Sequence, residues 1–120
     1  MSHIDEIVHE YLDVFNETDQ AERRVRLGEL FAGDGTYTDP HVDLQGPEQI
    51  ETFIAATQER FPGFRFTLGS EIDAHHNQAR FQWHAAPAGV TEPTYVGFDV
   101  LVTDGRRVRS VYGFMDSAPA

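Results

Sequence analysis

The second half of the chain reads as strand. TYVGFDVLVT (94–103) and RRVRSVYGFM (106–115) are strand-like runs, and FRFTLGSEID (64–73) and QARFQWHAA (78–86) switch between apolar and polar or small residues at every second position. That is the period of a half-buried strand. Turn residues separate the segments: AHHN, then PAGVTEP (87–93), then Asp104-Gly105. The last pair is a two-residue hairpin signal. Strands joined this closely form an antiparallel meander, because a parallel return needs a long crossover. A sheet with one apolar face has to be covered, and the residues before Phe64 must supply the cover.

Three helical segments do so. From Ile4, the residues Ile7, Val8, Tyr11, Leu12 and Phe15 form one helical stripe. Asp19 and Glu22 have capping-box spacing and open a second helix through Ala21, Val25, Leu27, Leu30 and Phe31, ended by Gly33 and Gly35. A third begins at Gly46-Pro47, with proline at the first helical position and Glu48 and Glu51 in the first turns. Its apolar face is Ile50, Phe53, Ile54 and Thr57, and Pro62-Gly63 stops it. A short strand, GTYTD (35–39), lies between the second and third helices. The expected class is α+β: one domain over residues 1–120, three helices packed on a curved antiparallel sheet. Gly69, Gly97 and Gly113 inside strands mark bends. A sheet bent around helices encloses a conical hollow suited to a small ligand.

Several function classes are excluded. The absence of cysteine removes disulfides, thiolate metal sites and cysteine nucleophiles. A net charge of −11 repels phosphate backbones, so nucleic acid is not an expected partner. The basic runs ERRVR and GRRVR read as solvated faces. MSHIDEIVHEYL lacks the basic-then-apolar pattern of a signal peptide, and no apolar run has the length of a membrane span. A soluble cytoplasmic protein is expected, with no membrane partner. No metal or other cofactor is expected. His41, His75, His76 and His84 lack any H-x-x-x-H-like spacing, and His75-His76 sits in a turn where adjacent side chains diverge.

The chemistry-bearing candidates lie in apolar surroundings. Asp39 stands in TYTDPH as a strand ends. It reads either as a turn organiser or as a carboxylate at the rim of an apolar cavity, where lost hydration makes it a better base. His41, two residues on, points to the same side. Asp99 interrupts the run Val96–Val102, and a charge there needs water or a special site. Strand parity groups it with Tyr95, Gly97 and Leu101, opposite Val96, Phe98, Val100 and Val102. Tyr11 lies on the apolar stripe of its helix. Phe53, Tyr112 and Phe114 are expected to line the hollow or pack the core. In the 78–86 segment either Arg80, Gln82 and His84 face inward, giving a polar pocket, or Phe81 and Trp83 do, giving a greasy one. Whichever apolar face remains outside argues for a homodimer pairing sheet to sheet.

The order helix–helix–strand–helix–meander, the stretch LFAGDGTYTDPHVDLQGPEQI and the D-G-R before the last strand resemble the NTF2-like superfamily. More narrowly they resemble the SnoaL-like polyketide cyclases and the ketosteroid isomerases, over about Ile4 to Asp116. The resemblance implies an NTF2-like cone holding a small apolar molecule. In the isomerases it implies a general base at the D-P aspartate, here Asp39. It implies oxyanion donors at a first-helix tyrosine, here Tyr11, and at a protonated strand aspartate, here Asp99. In the cyclases it implies a catalytic aspartate near Asp99. A non-catalytic ligand-binding dimer is the third reading, since one fold hosts many functions.

Overall fold

Local chemistry fixes the helix ends. Asp19 caps the second helix, its carboxylate accepting from the Glu22 N–H at 3.1 Å. Gly46 takes φ 89°, a left-handed value open to glycine, and hands the chain to Pro47 at the start of the third helix.

The computed structural model describes residues 3–120. In chain order it contains α1 (His3–Asn16), α2 (Gln20–Leu30), β1 (Phe31–Thr38), β2 (Asp43–Gln45), α3 (Pro47–Arg60), β3 (Phe64–Leu68), β4 (Asp73–His75), β5 (Gln78–Pro87), β6 (Tyr95–Asp104) and β7 (Arg107–Ser117). The sheet runs β2-β1-β7-β6-β5-β3, with β4 beside β5. Among the described residues no helix is long and apolar enough to cross a membrane.

β5, β6 and β7 form the expected antiparallel meander. The sheet as a whole is mixed, because β1 pairs with β7 in parallel. The long excursion through β2, α3 and β3–β6 supplies the crossover that parallel pairing requires. Two boundaries also differ from expectation. α2 stops at Leu30, and Phe31 is already extended, at φ −97° and ψ 146°, and fully buried. The β6–β7 turn is centred one residue later, on Gly105-Arg106. Asp104 still pairs with Arg107, and Gly105 takes φ 63° at the first central position.

The helices cover one face of the sheet. That face carries Ala79 and Phe81 of β5, Leu101 of β6 and Val108 and Val111 of β7, packed against Val8, Tyr11, Leu12 and Phe15 of α1 and Ile50 and Ile54 of α3. Two polar devices hold α1 in place. Asn16 clasps β3: its Nδ2 donates to the Phe66 carbonyl at 2.8 Å, and its Oδ1 accepts the Phe66 N–H at 2.7 Å. Arg23 of α2 pairs with Glu51 of α3 at 2.6 Å and donates to the Glu17 carbonyl at the end of α1 at 2.7 Å. Both ion-pair partners are buried. These contacts fix how deeply α1 presents Tyr11 to the sheet.

Candidate active site

β6 carries its aspartate inward. Asp99 lies opposite Phe81 of β5 and Gly113 of β7, and is 3% exposed. The Tyr11 hydroxyl donates to its Oδ2 at 3.1 Å, and the Trp83 indole N–H donates to its Oδ1 at 3.2 Å. No cation pairs with it among the described residues. Loss of hydration is the dominant influence and pushes the Asp99 carboxyl up to about 7. The Trp83 and Tyr11 hydrogen bonds pull the other way, and the Asp39 charge adds to the rise. Burial, then the neighbouring Asp99, raises Tyr11 well above the ordinary tyrosine value, so its hydroxyl remains a proton donor.

Asp39 approaches from the end of β1. A Cβ built on Gly113 would meet Asp99 Oδ1 at 3.0 Å and Asp39 Cβ at 3.2 Å, so the two acids flank this one glycine. Asp39 Oδ2 accepts the Tyr37 hydroxyl at 2.8 Å. Oδ1 accepts the backbone N–H groups of His41 at 2.8 Å and Val42 at 3.1 Å. Asp39 therefore also organises the turn, as an aspartate before proline commonly does. A carboxylate offers about four lone-pair positions. Three are used here, and the free one is on Oδ2.

Tyr11, Asp39, Asp99 and Trp83 thus come together. Phe53, half-buried, packs on Tyr37, the Asp39 partner, with ring centroids 5.3 Å apart. Four expected residues do not join. Tyr112 and Phe114 are 46% and 58% exposed on the outer face, because the inward positions of β7 belong to Val111 and Gly113. His84 is on that outer face too, its imidazole over Gly69 and its Nε2 3.3 Å from Gln82 Oε1. Aromatic-inside is therefore the arrangement of β5. His41 reaches Asp39 through its backbone alone, and its side chain is exposed. His75 and His76 do not diverge: their Nδ1 atoms are 3.0 Å apart. No cluster of three or more potential metal ligands occurs among the described residues.

Sequence reasoning missed Tyr37 and Gly113. Tyr37 shares strand parity with Asp39, two residues on, which is the signal that points to it. Gly113 pairs directly with Asp99, and register is not readable from one strand alone. Two surface clefts lie away from these residues. An open one of about 350 Å³ sits between α1 and α2 at Glu10 and Arg26, and one of about 160 Å³ lies beside β4 at His75.

A profile of the SnoaL-like domain matches residues 8–111 of the chain. A candidate isomerase of the SnoaL-like family from Agrobacterium tumefaciens is 32% identical, with a TM-score of 0.91 over 98% of this chain and 100% of that one. A candidate ketosteroid isomerase from Kribbella flavida has a TM-score of 0.70 at 20% identity, over 96% of this chain and 78% of that one. A candidate polyketide cyclase from Sinorhizobium meliloti has a TM-score of 0.71 at 16% identity, over 94% and 99%. At those lower identities the likeness is one of fold. No curated protein matches the chain at a significant level.

Proposed function

This chain belongs to the SnoaL-like family, and from that premise we propose a cofactor-independent enzyme that removes a proton next to the carbonyl of an apolar cyclic substrate. Asp39 is the base, and Tyr11 and Asp99 hold the enolate oxygen. The observation that carries this reading is a buried Asp99 bonded by neutral donors alone, at 3.1 and 3.2 Å, beside a second acid. Such a carboxyl can exist as the neutral acid near pH 7 and donate a hydrogen bond.

One proton resets the site. With Asp99 ionised, Tyr11 gives its hydrogen to Oδ2. With Asp99 protonated, that hydrogen is released, and both hydroxyls can donate to a developing oxyanion. Asp39 Oδ2 takes the carbon-bound proton, the electron pair moves to the oxygen, and Asp39 returns the proton to the far carbon as the double bond shifts. Tyr37, on the same oxygen, orients the base.

The test is conversion of 3-cyclohexenone to its conjugated isomer by the purified protein. Asp39→Asn is expected to lower the rate by roughly 10²-fold or more; an unchanged rate would remove Asp39 from the base role. A second reading, polyketide cyclisation with Asp99 as acid/base, is favoured by the Asp39 turn hydrogen bonds. In that case Asp99→Asn is damaging and Asp39→Asn mild. A ligand-binding domain without turnover would bind a flat apolar ketone and leave it unchanged.

The outer sheet face supports a homodimer. Tyr112 and Phe114 stand exposed there, flanked by half-buried Val96, Phe98, Val100 and Val102. A second copy offers the same surface and covers it by self-pairing. Phe114→Glu is expected to halve the mass seen by light scattering.

A further inference from the structure

Asp99 is sealed from solvent, so a ligand reaches it only when a neighbouring side chain moves. Tyr11 is not that side chain. It is 2% exposed, with the rings of Phe15 and Phe81 at centroid distances of 5.0 and 6.1 Å. Trp83 is only half-buried. Its indole lies across Gly97, its cross-strand partner: a Cβ built there would sit 2.0 Å from the indole Cζ2 and 2.1 Å from Cε2. No residue but glycine leaves that seat free. On its other side is Phe66, at a centroid distance of 5.6 Å and itself half-buried.

The indole is thus a flat, partly exposed two-ring group seated on Gly97 and against Phe66, with its one polar atom on Asp99. We propose that Trp83 occupies the ligand's own place as a displaceable plug, and that the site takes flat one- or two-ring carbonyl compounds whose oxygen replaces the indole nitrogen at Asp99. The inference rests on the reading of Asp99 as an oxyanion donor. The exchange is chemically matched. The indole N–H supports the ionised carboxylate, and its departure favours the neutral acid, which is the form able to donate to a carbonyl oxygen. A slot vacated by an indole holds a bicyclic ring system and not a larger fused one. The cost of opening weakens the apparent affinity by the fraction of molecules that are open.

Trp83 is the chain's one tryptophan, so 5-fluorotryptophan gives a single protein ¹⁹F resonance. The probe is 2-naphthol, a flat bicyclic phenol whose oxygen stands in for that of an enolate. On saturation the resonance is expected to move to the position of a solvent-exposed indole, which the denatured protein marks. Trp83→Ala is expected to bind 2-naphthol at least ~10-fold more tightly, because no closed form competes. In unliganded Gly97→Ala the methyl group is expected to hold the resonance at the displaced position already. An unmoved resonance on binding, equal or weaker binding by Trp83→Ala, or no binding by either protein would each overturn the plug. The ketone assay separates the two ideas. Tight binding by Trp83→Ala with no turnover leaves the plug standing without the isomerase. Turnover beneath an immobile indole leaves the isomerase without the plug.

Discussion

Glu51 and Asp99 are buried to the same degree, 4% and 3% exposed, and their surroundings are opposite. Glu51 receives a guanidinium at 2.6 Å, and that guanidinium is itself held by Gln58 and the Glu17 carbonyl. Asp99 receives a phenol and an indole, with Asp39 across a glycine. A buried carboxylate paired with a full cation acts as a strut between helices. One given neutral donors and a nearby acid keeps both protonation states within reach. Burial therefore does not mark a chemical site; the charge of the partners does.

The comparison breaks most visibly at the strut. Glu51→Gln leaves Arg23 as an uncompensated buried cation, and urea denaturation is expected to show a loss of about 3–5 kcal/mol. Replacing both Arg23 and Glu51 by methionine is expected to recover most of it, since no charge is then stranded. A single substitution as mild as the double one would mean the pair carries no weight in the fold.

Asp99 is expected to act on stability through pH. Its folded value is raised to about 7, against about 3.9 in an unfolded chain. The unfolded state therefore gives up this proton first as pH rises. The stabilisation is full below about pH 4 and is lost as pH climbs through about 7, a swing on the order of 4 kcal/mol. Unfolding free energies of wild type and Asp99→Asn, measured side by side from acid to mildly basic pH, are expected to diverge by that amount. Parallel curves would place Asp99 with Glu51.

Tyr11→Phe sharpens the contrast at the level of rate. It removes one of the two proposed oxyanion donors, and kcat is expected to fall by roughly 10²–10³, about 2.7–4 kcal/mol. The smallest effect belongs to Tyr37→Phe. It deletes the 2.8 Å bond to Asp39, for about 1 kcal/mol of stability. The Asp99-dependent pH profile is expected to survive that change, because Tyr37 does not bond Asp99.

The sequence displayed the site's acids more readily than its walls. Asp99 is visible because a charge interrupts an apolar run; its parity with Gly97 and Leu101 leaves the face open, and the fold puts that set on the covered side. Asp39 is visible in the D-P pair, which carries the turn role as well. Trp83 was ambiguous because β5 alternates aromatic with polar residues, and either face makes a chemically sensible interior. Tyr112 and Phe114 misled for a related reason. Large aromatics suggest lining, yet the two acids need space between them, and Gly113 provides it. That constraint exists only once β1, β6 and β7 are aligned. The parallel pairing of β1 with β7 was hidden in the same way, since contacts so distant in sequence leave no local pattern. The start of β1 was masked because Phe31 continues the helical spacing of Leu27 and Leu30.

The most direct measurement is the titration of Asp99 itself, followed through its ¹³C-labelled carboxyl carbon by NMR and assigned by its disappearance in Asp99→Asn. A midpoint at about 7, well apart from the exposed carboxylates, is the expected result. A midpoint near about 4, the ordinary carboxylate value, would contradict it and leave Asp99 an ordinary charged carboxylate.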